Sequence, residues 1–234
     1  MQMLKDAILE KGRAINQDVL LVDSFLNHQV DVGLMKAVGE AFAEHFSGKR
    51  FTRVVTIESS GIAPAAFTAL SLNLPLVIMK KQTSRILTGD ILQTTVRSFT
   101  KGTSYELTVK RDFLEPGDRV LLIDDFLASG EAAFGVLHLA QQAGATVDGI
   151  GIVIEKAFQS GHDRLMEGGW TCIRSPASSP CPSGISSSWI DETSAGIASG
   201  AFSAPVDDRA RQFRRFRQIS DYGVQTGEEY VIMI

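Results

Sequence analysis

The spacing of apolar positions changes along this chain, and each change predicts a different element. Residues 2–15 place Met3, Leu4, Ala7, Ile8 and Leu9 on one broad face at helical spacing, and VGLMKAVGEAFAEHF (32–46) does the same. Between them, NQDVLLVDSFLNHQVD fits neither the helical nor the strand period. From residue 53 short apolar runs alternate with helical segments. RVVTI (53–57), LVIM (76–79), RVLLID (119–124) and GIGIVIE (149–155) read as strands. IAPAAFTALSLNL follows the first of them as a helix, and a second helix runs through about Gln142 to a stop at Gly144. The strands lack in-out alternation, which predicts a parallel sheet buried on both faces. Residues 82–112 break the rhythm. QTTVRSF and SYELTVKR alternate like antiparallel strands joined by the turn-like TKGTS. A polar hairpin of this kind is expected outside the core, as a flap over a site or as a surface decoration.

Composition narrows the class. Of 234 residues, 44% are apolar and 21% charged, with a net charge of -4, ordinary for a globular protein and without a basic nucleic-acid footprint. Cys172 and Cys181 stand in no metal or redox spacing, which fits a reducing compartment. Lys5, Asp6 and Glu10 interrupt any apolar signal core, and no apolar run approaches the ~20 residues of a membrane span. The expected location is the cytoplasm, with no membrane partner.

The chemistry concentrates in VLLIDDFLASGEAA (120–133). Ligands of open parallel sheets bind beyond the carboxyl ends of the strands, where Asp124 and Asp125 are expected to fall. The small residues after them lead into a helix, whose first N–H groups are unpaired and carry partial positive charge. A phosphate fits there, with Gly130 allowing close approach and Ser129 adding a hydroxyl. The acids would accept from sugar hydroxyls or face a metal ion. The alternative is that they only cap the following helix. The turn is neither a Walker loop nor a dinucleotide fingerprint, since G-K-[ST] and G-x-G-x-x-G are both missing from it.

This stretch resembles the phosphoribosyl-diphosphate signature of the type I phosphoribosyltransferases. VDSFLNHQVD (22–31), TIESSGIAPA (56–65), MKKQTS (79–84) and GIGIVIEKAF (149–158) are similar to the corresponding segments of bacterial members that act on xanthine. The likeness covers residues 1 to about 170. It implies an α/β fold: a twisted parallel sheet with helices on both faces, an antiparallel flap at about 82–112, a small hood from about 1–50 and a core from about 51–170. It implies transfer of a 5-phosphoribosyl group from phosphoribosyl diphosphate to xanthine N9, with Mg2+ arriving as the diphosphate complex and no metal held directly, in a homodimer. Carried across, the 5-phosphate loop falls on Ala128, Ser129, Gly130, Glu131 and Ala132. The ribose diol, near magnesium, falls on Asp124 and Asp125, and the xanthine contacts on Leu20, Asn27 and Lys156. Lys156, a donor only, would favour a 6-oxo purine over adenine. Lys80 and Lys81 would lie near the diphosphate, with backbone donors from ESSGIA (58–63). The family loop is more often Ala-Asn-Gly-Gln-Ala, so Glu131 adds a negative charge beside the phosphate. Other purine transferases and a non-catalytic purine-sensing or RNA-binding regulator on the same fold are the rival readings.

The resemblance stops near Trp170. TCIRSPASSPCPSGISSSWIDETSAGIASGAFSAP (171–205) is rich in Ser, Pro, Gly and Ala without a period, and the basic DRARQFRRFRQ and apolar YVIMI follow. No firm structure is expected for residues 171–234. One back-translation of TCIRSPASSPCPSGISSSW, in another frame, reads VYSLARIVSLSERHIEFV, similar to the family's ending. A frameshift just after Trp170 is therefore expected, and the encoding DNA tests it.

Overall fold

The computed structural model describes residues 1–15, 20–81, 90–97, 102–156, 159–168, 171–172 and 230–233. Helix α1 (Gln2–Lys11) is shorter than its apolar pattern, because Gly12 turns extended. Strand β1 (Arg13–Ala14) then pairs antiparallel with β2 (Leu20–Leu21). The segment that fitted neither period holds a π-helical turn, Asp23–Asn27, which buries Phe25 and Leu26. Helix α2 (Val32–His45) starts at Asp31, whose carboxylate accepts from the Leu34 N–H at 3.1 Å. Strand β3 (Arg53–Ile57), helix α3 (Ile62–Leu72) and strand β4 (Leu76–Met79) follow as the pattern predicts. The hairpin is β5 (Ile91–Arg97) and β6 (Ser104–Lys110). Strand β7 (Arg119–Leu127), helix α4 (Glu131–Ala143), strand β8 (Thr146–Glu155) and helix α5 (Gly161–Glu167) complete the core, with short strands β9 (Thr171–Cys172) and β10 (Tyr230–Met233) at one edge.

The main sheet has the order β4-β3-β7-β8-β10-β9, and its pairs are parallel. Both faces are buried, as the missing alternation predicts. Along β7, Val120 and Leu122 enter one apolar cluster with α4, while Leu121 and Ile123 enter the other with α1 and α2. This double burial is why the strand reads as an unbroken apolar run.

One expectation is corrected. The hairpin belongs to the core: Leu92, Val96, Leu107 and Val109 form its apolar face and are buried in the cluster of α4. The helix has Gly135 at the crossing, where a Cβ would stand 2.6 Å from a Val96 methyl. Lys80 and Thr108 exchange backbone hydrogen bonds at 2.9 Å, which ties β6 to the end of β4. Alternation revealed an apolar face on the hairpin, and that face had to be covered. Of residues 171–234, only 171–172 and 230–233 are described, and they form short strands. YVIM of β10 pairs with Gly149–Ile152 of β8 and with β9. Residues 173–229, including the basic cluster Arg209–Arg217, lie outside the described residues.

Candidate active site

The two acids do not end their strand. β7 continues to Leu127 and pairs with β8 through Leu127↔Glu155, with Asp124 opposite Ile152. Its pairing with β3 stops at Leu122, so β7 projects past one neighbour while held by the other. That one-sided projection leaves room above the start of α3. Gly61 occupies that start, and a Cβ on it would lie 2.5 Å from Thr56 Oγ1 and 2.8 Å from Asp124 Oδ1. Neither acid caps a helix: the cap positions are Gly130 for α4 and Gly61 for α3, and neither helix has a side-chain cap. The capping explanation for the acids is thereby removed.

Asp124 is only 7% exposed. Burial, and after it the charge of Asp125, push its carboxyl well above the usual carboxylate range, against the opposing Asp125 N–H and Lys81 charge. The Asp125 N–H donates to Asp124 Oδ1 at 3.0 Å. A buried acid raised by its neighbour is a group prepared for a cation or a hydroxyl donor.

Beyond the acids, carbonyls of the loop are turned to donors elsewhere. Leu127 O accepts from the Lys156 N–H at 2.8 Å, Ala128 O from Gly161 N–H at 3.0 Å, and Gly130 O from Phe134 N–H at 3.0 Å. Ser129 O accepts from Arg164 Nη1 at 2.6 Å. With φ +83, Gly130 takes a left-handed conformation that other residues resist. The N–H groups opening α4 receive no side-chain cap, so the loop is a concave donor set suited to an anion. Gly161 fits so tightly under this loop that a Cβ there would overlap the Ala128 carbonyl oxygen.

A cavity of about 160 Å³ unites these parts, lined by Asp124, Phe126, the loop Ala128–Ala133, Lys81, and Arg97 and Tyr105 from the hairpin. Burial, then the charges of Asp124 and Glu131, push the Tyr105 hydroxyl up to about 12, so it stays a hydrogen-bond donor at neutral pH. Lys81 Nζ lies 5.8 Å over the Tyr105 ring. Lys80 Nζ pairs with Glu58 at 3.2 Å, and the Lys81 N–H donates to the same carboxylate at 2.7 Å. Burial would raise Glu58, but these donors outweigh it and hold the carboxyl below its ordinary value.

The expected base contacts are less gathered. Lys156 follows β8 with Nζ 5.6 Å over the ring of Phe126, which lines the cavity; Lys156 itself does not line it. Leu20 is buried in the apolar cluster on which Phe126 packs. Asn27 is exposed at the end of the π-helical turn and does not line the cavity. Phe126, Arg97, Tyr105 and Arg164 were not singled out from the sequence. An aromatic directly after two acids was a usable signal for Phe126; the other three depend on tertiary contacts.

The family description "Phosphoribosyl transferase domain" matches residues 29–165, a span that includes both acids and the loop. The chain belongs to the phosphoribosyltransferase family. A xanthine phosphoribosyltransferase of Clostridium botulinum (strain Eklund 17B / Type B) is 56% identical over 170 residues, covering 73% of this chain and 90% of that protein. The xanthine phosphoribosyltransferase of Clostridium acetobutylicum is 55% identical over the same shares. Among solved structures, the adenine phosphoribosyltransferase of Giardia lamblia with 9-deazaadenine gives a TM-score of 0.61 at 24% identity, covering 70% of this chain and 91% of that one. The adenine phosphoribosyltransferase of Thermoanaerobacter pseudethanolicus gives 0.58 at 20% identity, over 69% and 93%. At these identities the two structures establish the fold, a type I phosphoribosyltransferase sheet with flanking helices and an antiparallel hairpin.

One consequence concerns Gly61. In Gly61→Ala the new methyl overlaps Thr56 Oγ1 and Asp124 Oδ1, so Asp124 must shift. A displacement of about 1 Å in a positioned group costs on the order of 100-fold in rate. Phosphoribosyl transfer by this variant is expected to fall by about that factor with the fold intact. Turnover together with a circular-dichroism melt checks it; wild-type turnover would mean that Asp124 tolerates the shift.

Proposed function

We propose that this phosphoribosyltransferase transfers the 5-phosphoribosyl group of phosphoribosyl diphosphate to N9 of xanthine, releasing diphosphate and xanthosine 5'-monophosphate in purine salvage. The observation that carries it is the cavity that joins Asp124 to the Ala128–Ala132 loop, in a chain 56% identical to a xanthine phosphoribosyltransferase. The loop's N–H groups and Ser129 take the 5-phosphate. Asp124 and Asp125 take the ribose diol. The raised Asp124 fits a cationic neighbour, and magnesium, as part of the substrate complex, supplies charge neutralisation at the leaving diphosphate. Lys81, which lines the cavity, and the backbone at 58–63 would meet that diphosphate, whereas Lys80 is paired with Glu58.

The reaction breaks the C1–O bond to diphosphate as N9 of the base forms its bond to C1, through an oxocarbenium-like state. It calls on no side-chain nucleophile. The protein contributes orientation and a preorganised field. Phe126 supplies an apolar face for a planar base, beside Leu20, and Lys156 donates toward a 6-oxo group. β5 and β6 are packed on α4 and bring Arg97 and Tyr105 to the cavity wall, where they would limit the access of water to the activated sugar. A homodimer in the cytoplasm, carried over from the resemblance, completes the proposal. No helix among the described residues is long and apolar enough to cross a membrane.

The test is turnover of xanthine, guanine, hypoxanthine and adenine with phosphoribosyl diphosphate. Xanthine is expected to give the highest kcat/KM and adenine the lowest, and Lys156→Ala is expected to narrow that gap by about tenfold, the scale of one charge-assisted hydrogen bond. Preference for adenine overturns the role of Lys156.

A further inference from the structure

Glu131 is the first residue of α4 and lines the cavity beside the loop carbonyls, so its carboxylate would oppose a phosphate dianion there. The structure shows what answers that charge. Arg164, on α5, places Nη1 2.6 Å from Glu131 Oε1. The same nitrogen donates to Ser129 O at 2.6 Å, and the guanidinium carbon lies 4.9 Å over the Phe134 ring of α4. One group thus reaches the loop carbonyl, the acid and the helix that carries the acid. Arg suits this task because one guanidinium nitrogen carries two N–H donors for the two acceptors while the planar face stacks on an aromatic ring.

We propose that Arg164 is a positioning residue of the phosphate loop: it neutralises Glu131 and holds the Ser129 carbonyl outward, so that the loop offers N–H donors to the 5-phosphate. The pair is about a third exposed (38% and 33%), and exposed ion pairs add little to stability. Its consequence therefore lies in the charge presented to the ligand. Charge and bracing separate cleanly in this geometry, because Glu131→Gln removes the charge that needs answering and leaves Arg164 its bond to Ser129. The inference rests on the reading of Ala128–Ala132 as a phosphate site.

Ribose 5-phosphate binding by titration calorimetry tests both, independently of turnover. In Arg164→Met the dissociation constant is expected to rise about tenfold, which is the effect of losing roughly one charge-assisted contact. Arg164→Lys keeps a charge but not the planar group stacked on Phe134 and should fall between. Glu131→Gln alone should bind tighter than wild type, because it removes the charge that opposes the phosphate. The double variant Glu131→Gln/Arg164→Met regains the charge balance but not the bond to Ser129, so it should recover part of the salt-sensitive loss and bind between Arg164→Met and wild type. In turnover the same pattern should appear in the KM for phosphoribosyl diphosphate and not in kcat. Unchanged binding in Arg164→Met, or no rescue in the double variant, overturns the inference while leaving the phosphate site standing. A folded wild type that does not bind ribose 5-phosphate overturns the phosphate site itself.

Discussion

Replacing Asp124 with asparagine is expected to lower kcat/KM for phosphoribosyl diphosphate about 10- to 150-fold while raising the melting temperature of the ligand-free protein. The activity loss follows from exchanging charge-assisted hydrogen bonds to a diol for neutral ones, about 1.5–3 kcal/mol. The gain in stability follows from burial. Asp124 is buried beside Asp125, and both facts raise its carboxyl above the ordinary value. Between the unfolded value, near ~3.9, and the higher folded one, the folded chain binds more protons than the unfolded chain. Asp124 therefore costs no stability below the unfolded value. Its cost grows as pH rises through the folded one, and is complete above it. Asparagine carries no charge, so the melting-temperature gap between variant and wild type should open as pH rises through that window and close toward its acid end. Thermal melts across pH, beside initial rates, check both halves. A variant less stable than wild type at neutral pH contradicts the buried, like-charged setting of Asp124, and full activity contradicts its contact with the ribose. An acid that destabilises the empty protein and serves the loaded one is the usual trade between stability and function.

How much of this was legible beforehand depended on whether the signal was local. β3, β7 and β8 are readable because both their faces are buried, which writes an unbroken apolar run into each; β4, at the sheet edge, is half-buried on one face and keeps the same apolar run. The phosphate loop was readable because acids, small residues and Gly130 must follow one another along the chain. The π-helical turn at Asp23–Asn27 was not, since its period matches neither template. The hairpin showed an apolar stripe, but nothing in residues 91–110 says that α4 covers it; Gly135, more than twenty residues on, makes the space. Glu131 was recognised as a charge in the wrong place, and its answer stood 33 residues away in a helix with no motif. Leu20, Asn27 and Lys156 were named only through the resemblance. The structure sets Lys156 over the Phe126 ring, buries Leu20 in the apolar cluster on which Phe126 packs, and leaves Asn27 exposed.

Replacing residues 171–234 by VYSLARIVSLSERHIEFV, the shifted-frame ending, is expected to raise the melting temperature by roughly 6–12 °C. The reason lies at the edge of the sheet. β8 is ten residues long, and β10 pairs only with Gly149–Ile152. Beyond that contact, Val153 and Ile154 remain buried core residues of a strand whose outer edge finds no further partner among the described residues. The relatives bear on this point. The 170 aligned residues are 90% of the Clostridium botulinum protein, so about a tenth of that protein has no counterpart here, while about a quarter of this chain has none there. A strand with a full-length register along β8 would add about three ladder hydrogen bonds, each worth ~1 kcal/mol net. For a chain of this size 1 kcal/mol moves the melting temperature by about 2–4 °C, which gives the stated range. A third chain ending at Cys172 separates the alternatives. Lacking β10 as well, it exposes the edge of β8 and should melt lowest or aggregate, because an open, apolar edge strand recruits other chains. If the shifted-frame ending melts no higher than the present tail, the tail is a native partner of β8 and the frameshift reading is wrong. If the chain ending at Cys172 melts with the full chain, Tyr230–Met233 contributes nothing to the sheet. The proposed site residues all precede residue 170. Each chain that folds should therefore keep the same KM for phosphoribosyl diphosphate, and the effect should appear in stability.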